Sequence, residues 1–130
     1  RLTIVGDGPM RAELESLARV KALPVRFEGR LDNEEVLVKL YEHQYYVHPS
    51  LKESFSFSLL EAKMAGLVTF ANAGLQIPAE FIDIGFDGFD ATTWAAAILD
   101  EPTVGQVFDG AKFSIERMAS ATLSMARDKG

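Results

Sequence analysis

Hydrophobic and polar positions along the chain switch repeatedly between two periods. "LTIV", Leu2 to Val5, is a short apolar run that stops at "GDGP", after which apolar residues recur at Met10, Leu14, Leu17 and Ala18. The run has the length and β-branched character of a strand. The recurrence has the spacing of an amphipathic helix, with Pro9 suited to its first position. "VRFEGR" then alternates as a second strand closed by Gly29. In "LDNEEVLVKLYEH", Asp32 and Glu35 have capping-box spacing, and Leu37, Leu40 and Tyr41 form the predicted buried stripe. "QYYVHPS" predicts a strand ended by Pro49, "SFSLLEAKMAG" a short helix stopped by Gly66, and "LVTFA" a further strand.

Strands alternating with helices through short connections predict a parallel sheet covered on both faces. The expected fold class is therefore α/β, a doubly wound, three-layer arrangement forming a single domain over residues 1–130. Ligands in that architecture bind at the carboxyl ends of the strands. Past Asn72 the pattern loosens. "AGLQIPAEFIDIGFDGFD" predicts one helical turn at Pro78 to Ile82 and two glycine-centred turns. Trp94 to Leu99 reads as a helix after Thr92 or Thr93. Ser114 to Ala126 reads as a closing helix with Ile115, Met118, Ala119, Thr122 and Met125 inward, and Phe113 stapled onto Met118. Internal repeats and low-complexity linkers are absent.

Composition narrows the partners. With 130 residues, 48% hydrophobic, the chain has the apolar surface for a core, which argues against a disordered tail. Thirteen Lys and Arg face 19 Asp and Glu, a net charge of -6, which argues against a nucleic acid partner because such binding rests on neutralising phosphates. The absence of Cys excludes disulfides and thiolate metal sites, and a cytoplasmic location is the expectation. Apolar runs such as Trp94 to Leu99 fall far short of the roughly 20 residues of a membrane span. Arg1 leads straight into a strand, so a piece of a longer protein is expected.

Chemistry concentrates at two places. "GDGP" opens a helix, where backbone N–H groups and the helix dipole favour an anion. It lacks the third Gly of a dinucleotide fingerprint and the Lys-Ser/Thr of a P-loop, and a tight turn packing helix on strand is the simpler explanation. In "HPSLKESFSFSLLE", Glu53 falls in a loop and Glu61 well inside the following helix. The first-turn amides of Ser54, Phe55 and Ser56 would point into the same crevice as Glu53. Carboxylates accept from hydroxyls and amides donate to phosphate, so a ligand carrying both groups would fit. The alternative is structural: Ser58 and Glu61 also have capping-box spacing, and Glu53 would then be an ordinary loop residue. Phe55 and Phe57 read as core. His43 and His48 are too few for a metal site. His48, at a strand end, is either a hydrogen-bonded structural residue or a ligand contact. No Gly-x-Ser-x-Gly elbow is present, and the serines of "SFSFS" have no evident base, which leaves hydrolase chemistry unsupported.

Several of these pieces, in this order, resemble one family. "LTIVGDGPMRAELESLA", "VRFEGRLDNEEVLVKLY", "YVHPSLKESFSFSLLEAKMAG" and "FSIERMASATLSMAR" are similar to successive segments of the carboxyl-terminal, donor-binding domain of retaining nucleotide-sugar glycosyltransferases built from two Rossmann-like domains. The third segment carries that family's two Glu separated by seven residues. The resemblance implies that Glu53 holds hydroxyls of the donor sugar and that Glu61 bonds the ribose of the nucleotide. It implies further that the amides around Ser54 to Ser58, those of Phe55 and Ser56 included, face sugar and diphosphate. Gly6 and Gly8 would line the donor crevice, and Arg30 and Leu31 would lie near the base. The departing nucleotide diphosphate is stabilised electrostatically in such enzymes, commonly without a metal, so the expected small molecule is a nucleotide diphosphate sugar as substrate and no cofactor.

Three departures accompany the likeness. The family's first strand and helix, with an Arg and a Lys for the donor phosphates, have no counterpart here. Ser56 stands where the family usually has Gly. The family's Gly-Gly-x-Pro-Glu run is replaced by "GLQIPAE". Without the first strand, either "LTIV" pairs directly with "YYVH" or a neighbouring chain fills the gap, and an exposed edge would favour homo-oligomers. The family's acceptor-binding, amino-terminal domain is also missing. The expectation is a donor-binding portion that is inactive in isolation, its parent a hexosyltransferase-type enzyme. The alternative is an α/β scaffold without ligand function, and a phosphate-binding receiver-like module is a third reading without a clustered acidic pocket to support it.

Overall fold

The computed structural model describes residues 1–103 and 108–110, so the closing helix expected over Ser114 to Ala126 lies outside the described residues. The chain packs as two compact units, Arg1–Lys39 and the part from Leu40 onward.

The first unit is a β-α-β turn of chain. Strand β1 (Leu2–Val5) pairs in parallel with β2 (Val25–Gly29), from Leu2 opposite Val25 to Ile4 opposite Phe27, with an irregularity that sets Val5 against Gly29. Helix α1 (Arg11–Val20) joins them. It begins two residues beyond the predicted Pro9, because Met10 offers no side-chain acceptor and a turn closes first, with the Arg11 amide donating to the Gly8 carbonyl at 3.1 Å. Helix α2 (Asn33–Tyr41) starts at the predicted capping box. The Glu35 amide donates to Asp32 Oδ1 and the Asp32 amide to Glu35 Oε2, both at 2.9 Å. Its predicted stripe is narrower than expected. Leu40 is buried, Val36 half-buried, and Tyr41 is 71% exposed, so burial follows a single i, i+4 row. Glu28 of β2 binds Lys39 at 3.5 Å and Arg26 at 2.6 Å.

The second unit contains β3 (Tyr45–His48), β4 (Val68–Asn72) and β5 (Ile84–Phe86), all parallel with β4 central. β5 lies in the segment where the pattern predicted only turns. It is three residues long, and its middle position is Gly85, which carries no hydrophobic signal. Helix α3 (Phe57–Met64) follows β3, a 3-10 turn (Ala79–Phe81) replaces the helical turn predicted at Pro78 to Ile82, and α4 (Ala91–Leu99) follows β5.

Strand pleating divides the core of this unit. On one face Leu59, Leu60, Ala71, Leu75 and Phe81 cluster, with Tyr46 and Phe55 against them. On the other Val68, Phe70 and Trp94 cluster, with Tyr45, Val47 and Phe86 against them. Even positions of β3 therefore meet α3, and odd positions meet the Trp94 side. Helix α3 stops as its sequence predicts. Gly66 takes φ +84°, its amide donates to the Lys63 carbonyl at 3.0 Å, and the Leu67 amide donates to the Ala62 carbonyl at 3.0 Å, a Schellman closure. Helix α4 starts at Ala91, ahead of the predicted Trp94, because Asp90 caps it: Oδ2 accepts from the Thr93 amide at 2.9 Å and from the Thr93 hydroxyl. Those bonds, the hydroxyl's first, hold the Asp90 carboxyl below its ordinary range.

The chain is thus α/β with parallel strands, divided into two small sheets, consistent with a Rossmann-like fold that lacks full units. Among the described residues β1 is laddered to β2, and β3 to β4.

Candidate functional site

At the carboxyl end of β3 the chain turns at Pro49 and passes through a loop to α3. That loop carries Glu53, and β3 carries His48, whose Nε2 lies 3.1 Å from Glu53 Oε1. His48 is largely buried and Glu53 about one-third exposed, so the pair sits at the rim of the unit. An ionised carboxylate only accepts, and Nε2–H is then the donor tautomer.

One helical turn away, Ser56 caps α3. Its Oγ accepts from the Leu59 amide at 3.3 Å, and its carbonyl accepts from the Leu60 amide at 3.0 Å. The helix therefore starts at Phe57, and Ser54 and Phe55 precede it, whereas the spacing had suggested their amides as its first turn. Nor is Ser58 the cap. It lies inside the helix, with its hydroxyl 3.1 Å from that of Ser56. With Leu59 bonded to Ser56 Oγ and Leu60 to its carbonyl, the amides of Phe57 and Ser58 are among the first-turn donors open to an anion. Phe55 is half-buried, edge-on to Phe81 at 5.3 Å and to Phe57 at 5.0 Å. Phe57, expected in the core, is 63% exposed.

The residue that links these groups is one the sequence reading passed over. Tyr46 shares the even face of β3 with His48, their rings stacked with centroids 6.1 Å apart. The Ser58 hydroxyl and the carboxylates of Glu61 and Glu53 all act on its phenol. Burial chiefly, and then these two carboxylates, push the Tyr46 phenol above its ordinary value, against the Ser58 hydrogen bond, which lowers it. Glu53, in the loop, and Glu61, in α3, are thus both near enough to this phenol to act on it. They are brought there by the strand-to-helix turn rather than by a shared helical face. Period two already placed Tyr46 and His48 together, but a tyrosine in a strand is so ordinary a β-former that it gave no chemical signal.

In the first unit Gly6, Gly8, Arg30 and Leu31 follow the carboxyl ends of the paired strands. The Gly6 amide donates to the Gly29 carbonyl at 2.7 Å, and the Gly8 amide to Asp7 Oδ1 at 3.0 Å. Arg30 is exposed and Leu31 half-buried. Arg11 reaches back over this turn to Asp7 at 3.8 Å and along its own helix to Glu15 at 2.8 Å. A β-carbon on Gly29 would stand 2.7 Å from its Nη1, so glycine there leaves room for the guanidinium. A separate cleft of about 850 Å³, lined by Tyr45, Lys63, Val68 and Phe108, opens at the amino ends of β3 and β4, the opposite strand ends from Glu53.

A family model described as glycosyl transferases group 1 matches residues 1–98. The chain is 36% identical over 80 residues to the phosphatidylinositol N-acetylglucosaminyltransferase gpi3 subunit of Schizosaccharomyces pombe, a match covering 60% of this chain and 18% of that protein. It is 35% identical over 75 residues to the sulfoquinovosyl transferase SQD2 of Arabidopsis thaliana, covering 57% of this chain and 14% of that protein. The matched segment therefore spans less than a fifth of either relative.

Proposed function

The chain belongs to the group 1 glycosyl transferases, and from that premise we propose that its second unit carries sugar- and ribose-binding groups for a nucleotide diphosphate sugar. The observation that carries this reading is the placement of Glu53, bonded to His48, in the loop at the carboxyl end of β3, with Glu61 in the helix that follows. Two carboxylates there supply acceptors for hydroxyl-rich groups. Glu53, in the loop, takes the donor sugar, and Glu61, in α3, takes the ribose. The free amides of Phe57 and Ser58 supply the donors that a diphosphate needs, at the positive end of the helix dipole. Charge accumulating on the departing diphosphate is stabilised by such fixed donors without reorganisation, the usual source of electrostatic catalysis, and no metal is needed in this scheme. Gly6, Gly8, Arg30 and Leu31 enter the proposal on the family resemblance alone. Sugar transfer with retention is assigned to the longer parent chain, and the segment by itself is a binding portion.

Titration of the chain with UDP, GDP and ADP and their sugars, read by amide chemical shifts, tests this. Shifts should concentrate between His48 and Glu61. If every nucleotide and nucleotide sugar leaves the spectrum unchanged at millimolar concentration, the donor reading fails and the scaffold without ligand function stands. Glu53→Gln should weaken sugar-dependent binding more than nucleotide binding, and equal losses would contradict its assignment to the sugar.

A further inference from the structure

We propose that His48 is a positioning residue for Glu53: its Nε2–H fixes one carboxylate oxygen so that the other is presented to the sugar hydroxyls. This rests on the donor reading above for its ligand, but the restraint itself is a property of the free chain. Glu53 sits in a loop on a side chain with three rotatable bonds, one-third exposed. Left free, such a side chain would sample several rotamers and lose that freedom on binding. His48 is well placed to prevent this. It lies at the last position of β3, laddered opposite Ala71 of the buried central strand, and its ring is stacked on Tyr46. Tyr46 is in turn packed against the core cluster that includes Leu59, Leu60 and Phe81. The imidazole is therefore held from strand and ring, and its bond of 3.1 Å to Glu53 Oε1 transfers that rigidity to the loop. Oε1 retains one lone pair and Oε2 both, so the carboxylate still accepts from sugar hydroxyls while its orientation is set.

The consequence is that His48 governs the sugar-dependent part of affinity and leaves the nucleotide part alone. His48→Leu removes the donor at similar volume, and His48→Gln returns an amide N–H near the position of Nε2. In the ligand-free chain, side-chain proton couplings of Glu53 should report a single rotamer in the parent, averaging in His48→Leu, and recovery in His48→Gln. With ligand, the ratio of affinities for a nucleotide diphosphate sugar and the bare nucleotide diphosphate should fall by about three- to tenfold in His48→Leu, the range expected for releasing one ordered side chain. It should recover in His48→Gln, with bare nucleotide affinity unchanged in both. A purely structural histidine would move both affinities together and would not be rescued by Gln. Averaged couplings in the parent chain, or a sugar-dependent ratio indifferent to His48→Leu, overturn the proposal. A parent chain that binds no nucleotide sugar overturns the donor reading instead, and the couplings then decide whether His48 positions Glu53.

Discussion

Removing the carboxylate of Asp83 should destabilise the second unit more than any single change at its surface. Lys63 of α3 and Asp83 are 94% and 90% buried, with Nζ 2.5 Å from Oδ1. The other oxygen, Oδ2, accepts from the Thr69 amide at 2.8 Å, and Thr69 is fully buried in β4, its hydroxyl donating to the Phe81 carbonyl at 2.6 Å. Asp83→Ala leaves the ammonium without its anion, and breaking a buried pair from one side costs about 3–5 kcal/mol. Lys63→Met combined with Asp83→Ala removes both charges and should recover most of that loss. What remains is the orphaned Thr69 amide, about 1–3 kcal/mol. Trp94 is the chain's one tryptophan and is 2% exposed on the other face of the same sheet, so its fluorescence in urea follows this unit directly. The transition midpoint should drop steeply for Asp83→Ala, rise again for the double variant, and respond little to added salt because the pair is shielded from solvent. A cost below about 1 kcal/mol for Asp83→Ala, or a double variant no more stable than the single one, would refute the assignment of the loss to an unpaired buried charge.

Three further outcomes are expected. Ser56→Ala should lose about 0.5–2 kcal/mol through the α3 cap, and Ser56→Gly only a few tenths; if the Ser56 β-carbon crowds the donor, Ser56→Gly should also tighten nucleotide sugar binding in calorimetry, and unchanged binding would refute the crowding. Gly29→Ala and Gly66→Ala both force alanine into a left-handed backbone, at φ +74° and +84°, costing about 1–2 kcal/mol; only the first also displaces Arg11, so a larger midpoint loss for Gly29→Ala is expected, and equal losses would show that the guanidinium moves aside freely. Because Tyr46 holds its proton more tightly folded than unfolded, its contribution is fully present below the ordinary value of 10.0 and declines as pH rises above it; Tyr46→Phe should flatten the fall in melting temperature at alkaline pH, and an unaltered slope would assign that fall to other groups.

Elements set by local chemistry were legible in the sequence. Leu2 to Val5, the Asp32–Glu35 box and the Gly66 stop appear where spacing put them, because caps and strand runs depend on neighbours a few residues away. Choices between competing local partners were less legible. Ser56 and Ser58 both offered a hydroxyl to α3, and only the fold decides that Ser56 binds the Leu59 amide. Asp90 was overlooked for a comparable reason, since Thr92 and Thr93 looked like equally good caps. Contacts between distant residues were not legible at all. Nothing near Lys63 announces Asp83, twenty residues on, and nothing in "QYYVHPS" announces that Tyr46 would meet Ser58 and His48 would meet Glu53. Glu53 and Glu61 were visible as a motif, but the contact of Glu53 with His48 was not.

The two-sided pleat of β3 makes this strand a natural point for altering recognition and stability separately. Tyr46 and His48 project towards the carboxylates, whereas Tyr45 and Val47 pack on the side of Trp94. A library varied at 48 would probe the Glu53 contact while an unchanged Trp94 signal certifies that the opposite face is intact. A library varied at 45 and 47 would tune resistance to unfolding with the chemical face held constant. Position 48 on one face and positions 45 and 47 on the other thereby offer two nearly independent handles, whereas Tyr46, packed against Leu59, Leu60 and Phe81, belongs to both.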